Sequence, residues 1–281
     1  MPIHDQSYRH YAGRREPDGR AWLVIATTGI RSMARKRLFL SLLSIGWIPF
    51  VVYAVRFYIA ANYSQTAPLL GATRETYRQF FDWQGVFVFF ITIWVGAGLV
   101  ANDKRANALQ IYLSKPLTRS EYIAGKVSIL ITFLLLVTWV PAMLLLLLQM
   151  LFNGSFAFIQ DNLVLLPAIT VFSLLQVLLW SFTILALSSL SNSSRYVAIL
   201  YAGAIFFTSS VFGVTQAVNG RTSFSWVSPT ASLGQVGNII FHMPALYRDT
   251  PWAVSMLVLV GIIAASILVL ERRVRGVEVV S

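Results

Sequence analysis

Six apolar runs, at about residues 38–60, 84–102, 127–151, 163–190, 197–218 and 252–271, alternate with polar segments along the chain. A helix rises about 1.5 Å per residue, so each run can cross about 30 Å of hydrocarbon. The pattern predicts an all-α integral membrane protein with six transmembrane helices. Ahead of the first run, residues 20–37 set Trp22, Ile25, Ala26, Ile30 and Met33 on one helical face and Thr27, Thr28, Arg31 and Arg35 on the other. Such a face pattern predicts an interfacial helix whose arginines meet anionic lipid, or equally a plain basic anchor for the first span. The expected organisation is a polar tail over 1–19, the interfacial helix over 20–37, a six-span domain over 38–271 and a second tail over 272–281. No apolar region follows residues 1–19 closely enough for a cleavable signal peptide.

Composition agrees with this reading. Of 281 residues, 57% are apolar and only 12% charged, and the mean hydropathy is +0.68, far from that of a soluble domain. There is no cysteine, which excludes disulfides and thiolate metal sites. The net charge of +11 does not indicate nucleic acid, because the basic residues follow the membrane topology. With six spans, seventeen Lys and Arg fall on the side of the two tails and four, Arg74, Arg78, Arg221 and Arg248, on the other. The positive-inside rule then places both termini in the cytoplasm.

The polar island at 98–126 is the most informative stretch. Lys104, Arg105, Lys115, Arg119 and Lys126 stand there against only Asp103 and Glu121. Ala106, Leu109, Tyr112 and Leu113 have the spacing of a short amphipathic helix, too brief to span, which Pro116 ends. Thr118-Arg-Ser-Glu121 then reads as a capping box opening the next helix, with Leu117 and Tyr122 as its hydrophobic staple.

From Leu113 to Lys126 the residues Leu113-Ser-Lys-Pro116-Leu-Thr-Arg119-Ser-Glu121-Tyr-Ile-Ala-Gly125-Lys126 resemble the cytoplasmic signature of type-2 ABC exporter permeases. That family often carries a glutamate followed by Gly-Thr-Leu before the proline, where this chain has Asp103 and then Asn107-Ala108-Leu109. The resemblance implies a six-span permease in a bacterial inner membrane, an "elbow" helix at 20–37 and a coupling helix between spans 2 and 3. It also implies a second permease copy, as homo- or heterodimer, and two cytoplasmic ATPase subunits. ATP and Mg would be bound by those subunits, with no cofactor in this chain. The residues it marks for docking are Asp103, Arg105, Leu109, Tyr112, Leu113, Pro116, Arg119 and Glu121.

The chain has no Gly-x-x-x-x-Gly-Lys-Ser/Thr loop, so an ATP-driven process needs another polypeptide. No histidine or acid falls near the middle of a run, which argues against a polytopic enzyme that modifies lipid. A non-transporting anchor that recruits a cytoplasmic partner stays open. Arg56 is expected to snorkel to the outer interface, and Gln149 and Gln176 to hydrogen-bond between helices. Two helical rows, Trp83, Phe87, Phe90 and Trp94 in the second run and Ala198, Ala202, Ser209, Gly213 and Gln216 in the fifth, are candidates for a translocation or dimer face. Close helix packing and a lipid-facing belt explain them as well. Pro229, with Thr230 as cap and Leu233, Val236, Ile239 and Ile240 behind it, predicts a short apolar-faced helix at the outer surface.

Overall fold

The structure is a computed structural model that describes residues 21–63, 65, 67–108, 118–153 and 163–274. Among these the protein is all-helical, with no strand. Six helices are long and apolar enough to cross a membrane: span 1 Arg37–Asn62, span 2 Arg74–Arg105, span 3 Arg119–Phe152, span 4 Leu165–Leu190, span 5 Ser194–Asn219 and span 6 Trp252–Arg273. The chain is thus a multi-pass membrane protein. Spans 2, 3 and 4 make its centre, with 56–61% of their apolar windows buried against 17–22% for spans 1, 5 and 6. Phe80, Phe81 and Ile91 of span 2, Ile129 and Leu130 of span 3 and Phe172 of span 4 are buried there.

Three of the spans are broken, and each break has a partner for its freed backbone. Span 1 breaks at Gly46 and Trp47 ahead of Pro49, and span 3 at Thr138 ahead of Pro141. Pro141 has no N–H for the Val137 carbonyl, which in an apolar interior must find another donor. Gln84 of span 2, fully buried, donates its Nε2 to the Gly46 carbonyl at 2.9 Å and also to the Val137 carbonyl. Span 2 itself turns at 97–100, where the Ser188 hydroxyl of span 4 accepts the N–H groups of Val100 and Ala101 and donates to the Ala97 carbonyl at 2.9 Å.

The amino-terminal helix, Ala21–Ala34, packs along the first turns of span 3. Glycines permit this approach from both sides. A Cβ on Gly125 would lie 2.8 Å from Ile25 Cβ, and one on Gly29 would lie 2.2 Å from Ile129 Cδ1. The helix is therefore docked on the bundle, while Trp22, Leu23 and Val24 keep an apolar face exposed.

The helix Pro229–Ile240 departs from its expectation. Every residue from Ala231 to Asn238 is buried, so it is inserted among spans 4, 5 and 6 and does not lie on the surface by one apolar face. Its polar face is covered by the loop that follows: Gln235 donates to the Tyr247 and Thr250 carbonyls and accepts the Tyr247 N–H at 2.7 Å, and Asn238 donates to the Pro244 carbonyl. Ser228 is its cap, accepting the Ala231 N–H, in place of Thr230. Span 2 also starts ten residues earlier than its apolar run, at Arg74, which moves Arg78 and Asp82 from a loop onto the helix. Arg56 donates to the Leu69 and Leu70 carbonyls and so closes the short helix Ala67–Leu70.

Candidate functional site

Two polar sites lie at opposite ends of span 2. At its C-terminal end, Asp103 Oδ2 accepts the Tyr122 hydroxyl at 2.7 Å and the Lys126 ammonium at 2.7 Å, both from the first turns of span 3. The Lys126 Nζ also stands 5.4 Å from the centroid of the Tyr122 ring. Both side chains of the ion pair are largely withdrawn from solvent. The predicted capping box is present: the Thr118 hydroxyl accepts the Glu121 N–H, and Glu121 Oε2 accepts the Thr118 N–H at 2.9 Å. Lys104 donates to the Ser189 carbonyl at 2.8 Å, tying the same corner to the end of span 4.

Of the docking residues marked by the sequence, Asp103 and Glu121 thus frame the two ends of the loop, and Arg105 and Arg119 are exposed beside them. Leu109, Tyr112, Leu113 and Pro116 lie outside the described residues. The partnership of Asp103 with Tyr122 and Lys126 was missed in the sequence. Its signal was there: Asp103 is one of only two acids in an island of five cations. Between this corner, the amino-terminal helix and spans 2, 3 and 5 runs a groove of about 870 Å³ that includes Trp94 and Ala198.

Near the other end of span 2 lies a cavity of about 510 Å³ among spans 2, 4 and 5 and the inserted helix. Phe90 and Ser209 line it, while Phe87, Ala202 and Gly213 do not. Ser209 hydrogen-bonds with Thr230 at 3.0 Å. Gly213 has open space around it and Trp83, Phe90 and Trp94 expose much of their surface, whereas Ser209 is bonded to the inserted helix and Ala198 packs on the core, so neither row acts as a single face within the chain. Residues not marked by the sequence complete the cavity. Arg78 is buried, pairs with Asp82 at 2.6 Å, and lays its guanidinium 5.1 Å from the centroid of the Phe172 ring. Gln176, expected to bond between helices, is buried at the cavity wall with its Oε1 unpartnered. The same holds for the Gln149 Oε1 in span 3, which lies outside this cavity. Charge interrupting the apolar run had disguised Arg78 and Asp82 as loop residues.

Among the described residues no three His, Asp or Glu side chains converge as metal ligands would. Neither family models nor characterised proteins give a match to the chain.

Proposed function

We propose that this chain is the permease subunit of an ATP-driven transporter of the type-2 ABC exporter kind, working as a pair in a bacterial inner membrane with two separate ATPase subunits. The observation that carries the reading is the clamp of Asp103 on Tyr122 and Lys126, set beside the Leu113–Lys126 signature. It fastens the end of span 2 to the start of span 3. A push at this corner moves two central spans together, and that is what coupling to a closing ATPase pair requires. The signature supplies a reason for Gly125 and Lys126 in turn: the glycine admits the amino-terminal helix and the lysine completes the clamp. The seventeen-to-four charge split supports placing this end of the bundle in the cytoplasm, with both termini.

The test is made on the intact chain. Purified from native membranes in mild detergent, it should bring with it a protein that hydrolyses ATP, while the chain alone hydrolyses none. Tyr112→Asp and Leu113→Asp each set a charge on the face expected to dock, at a cost of several kcal/mol, roughly 3–5. Both variants should insert normally and lose the associated ATPase. Wild-type ATPase recovery with both would overturn the proposal, as would an external location for a reporter inserted at Ser114.

A further inference from the structure

The cavity at the Arg78 end has walls and charge of a definite kind. Phe89 stacks on Tyr201 at 5.8 Å between centroids and meets Phe206 edge-on at 5.6 Å, and Trp180 stands edge-on to Tyr201 at 6.1 Å. With Phe90 these make an aromatic enclosure contributed by spans 2, 4 and 5. At about 510 Å³ it has the size of a pocket for a single small organic molecule. Val86, Phe90 and Phe206 line it and are each more than half exposed, so the cavity opens sideways between spans 2 and 5, where lipid would lie.

The charge that reaches this space is negative. Arg78 is sealed: it is 4% exposed, its Nε has no partner and no open surface, and Gly234 and Gly237 of the inserted helix close over it. Its Nη1 is taken by Asp82 and its Nη2 by the Gly234 carbonyl, so although Arg78 borders the cavity it has little left to offer an anion. Asp82, by contrast, has a side chain 64% exposed, with one oxygen held by Arg78. On span 2, Gly85, Val86 and Phe89 follow Asp82 at helical spacing, so the carboxylate sits at one end of the aromatic wall. Trp83, 66% exposed beside it, has the place of an interface-belt residue, which sets the carboxylate at headgroup level and the aromatic rings deeper.

Aromatic faces and a carboxylate both favour a positive charge, and neither favours a negative one. We propose that this cavity binds a lipophilic organic cation, with its charge beside Asp82 and its apolar body among Phe89, Trp180, Tyr201 and Phe206, entering from the bilayer between spans 2 and 5. The site stands on this chain alone and does not rest on the transporter reading. If that reading holds, such a cation is the class of cargo it would carry.

Tetraphenylphosphonium and tetraphenylborate, alike in shape and opposite in charge, are the probes, measured by equilibrium dialysis on the intact chain in nanodiscs of zwitterionic lipid without any ATPase. Wild type should bind the phosphonium saturably and the borate no more than empty nanodiscs do. A Cβ on Gly85, which lines the cavity, meets nothing within 4 Å, so Gly85→Trp starts its side chain in open space and takes up cavity volume. Asp82→Asn removes the carboxylate but leaves Arg78 unbalanced, so Gly85→Trp stands beside it as the variant that keeps the ion pair. In each variant that remains monodisperse, phosphonium affinity should fall at least about tenfold. Equal binding of the two ions, or a smaller loss in the folded variants, overturns the proposal. None of these outcomes bears on the ATPase co-purification, so either reading can fail without the other.

Discussion

Span 2 carries an ion pair near each end, and the two are built on opposite plans. At Asp103 and Lys126 both partners are mostly withdrawn from solvent, 18% and 12% exposed, and a third group, the Tyr122 hydroxyl, bonds the same carboxylate oxygen. At Arg78 and Asp82 the cation is sealed at 5% and the anion is left open at 64%. A pair closed on both sides offers a ligand little, and its role is to hold two helices. A half-open pair holds its helix by the buried partner and presents the other. Burial alone would have grouped the two together, whereas the asymmetry of burial separates a fastening from a site.

The comparison can be broken most severely at the closed pair. Asp103→Asn leaves the Lys126 ammonium without its counter-charge in a mostly buried place, and Lys126→Met does the reverse. Each should destabilise the protein by about 3–5 kcal/mol, the usual cost of stranding one member of a buried pair. The expected readout is a lowered midpoint of thermal unfolding in mild detergent, with the two single variants alike and the double variant Asp103→Asn, Lys126→Met less harmed than their sum. A midpoint near wild type for either single variant would place the clamp among ornamental surface pairs.

At the open pair, what holds is the seal over Arg78, and Gly237 is its critical residue. A Cβ there would lie 2.7 Å from Arg78 Nε and 2.6 Å from Phe172 Cε2, so Gly237→Leu must push the inserted helix away from spans 2 and 4. Overfilling of this kind costs about 1–3 kcal/mol, and the same thermal measurement should show a smaller loss than at Asp103. An unchanged midpoint would mean that the inserted helix is not held against Arg78.

How much of this was legible in the sequence depended on the range of the physics. The Thr118–Glu121 cap was read correctly because every group in it lies within four residues. The six spans were read from hydropathy, which each run carries by itself. Arg74, Glu75, Arg78 and Asp82 break the apolar run and hide the start of span 2, yet helix continues through them once Thr73 caps it and the inserted helix covers Arg78. The burial of that helix is hidden for a related reason. Its Gln235 and Asn238 looked solvated but serve the carbonyls of a loop that no local pattern announces. Gln84, which stitches the breaks of spans 1 and 3, is 38 and 53 residues from its two acceptors. Within the candidate sites, Glu121 stands in the signature and Asp103 ahead of it, where the family often has a glutamate, while Asp82, Tyr201 and Trp180 have no motif and meet only in three dimensions.

The smallest expected effect on stability gives the sharpest form of the comparison. Arg78→Met removes the sealed member of the open pair and keeps an unbranched stem of similar reach beside Phe172. What it strands is Asp82, whose side chain is already 64% exposed and keeps its solvation at headgroup level. Stability should therefore fall by about 1 kcal/mol or less, as for an exposed pair. Lys126→Met, the matching change at the closed pair, should cost several times more, because Asp103 has no such exposure. Ligand binding should move the other way. Without the guanidinium at 2.6 Å, the Asp82 carboxylate faces the cavity with its whole charge, and tetraphenylphosphonium should bind Arg78→Met a few-fold more tightly than wild type, on the order of three- to tenfold. The two measurements are thermal unfolding of both methionine variants and dialysis of the phosphonium against Arg78→Met. Equal destabilisation by the two methionines would show that the pairs are alike after all, and weaker cation binding by Arg78→Met would show that Asp82 is not the group the cation meets.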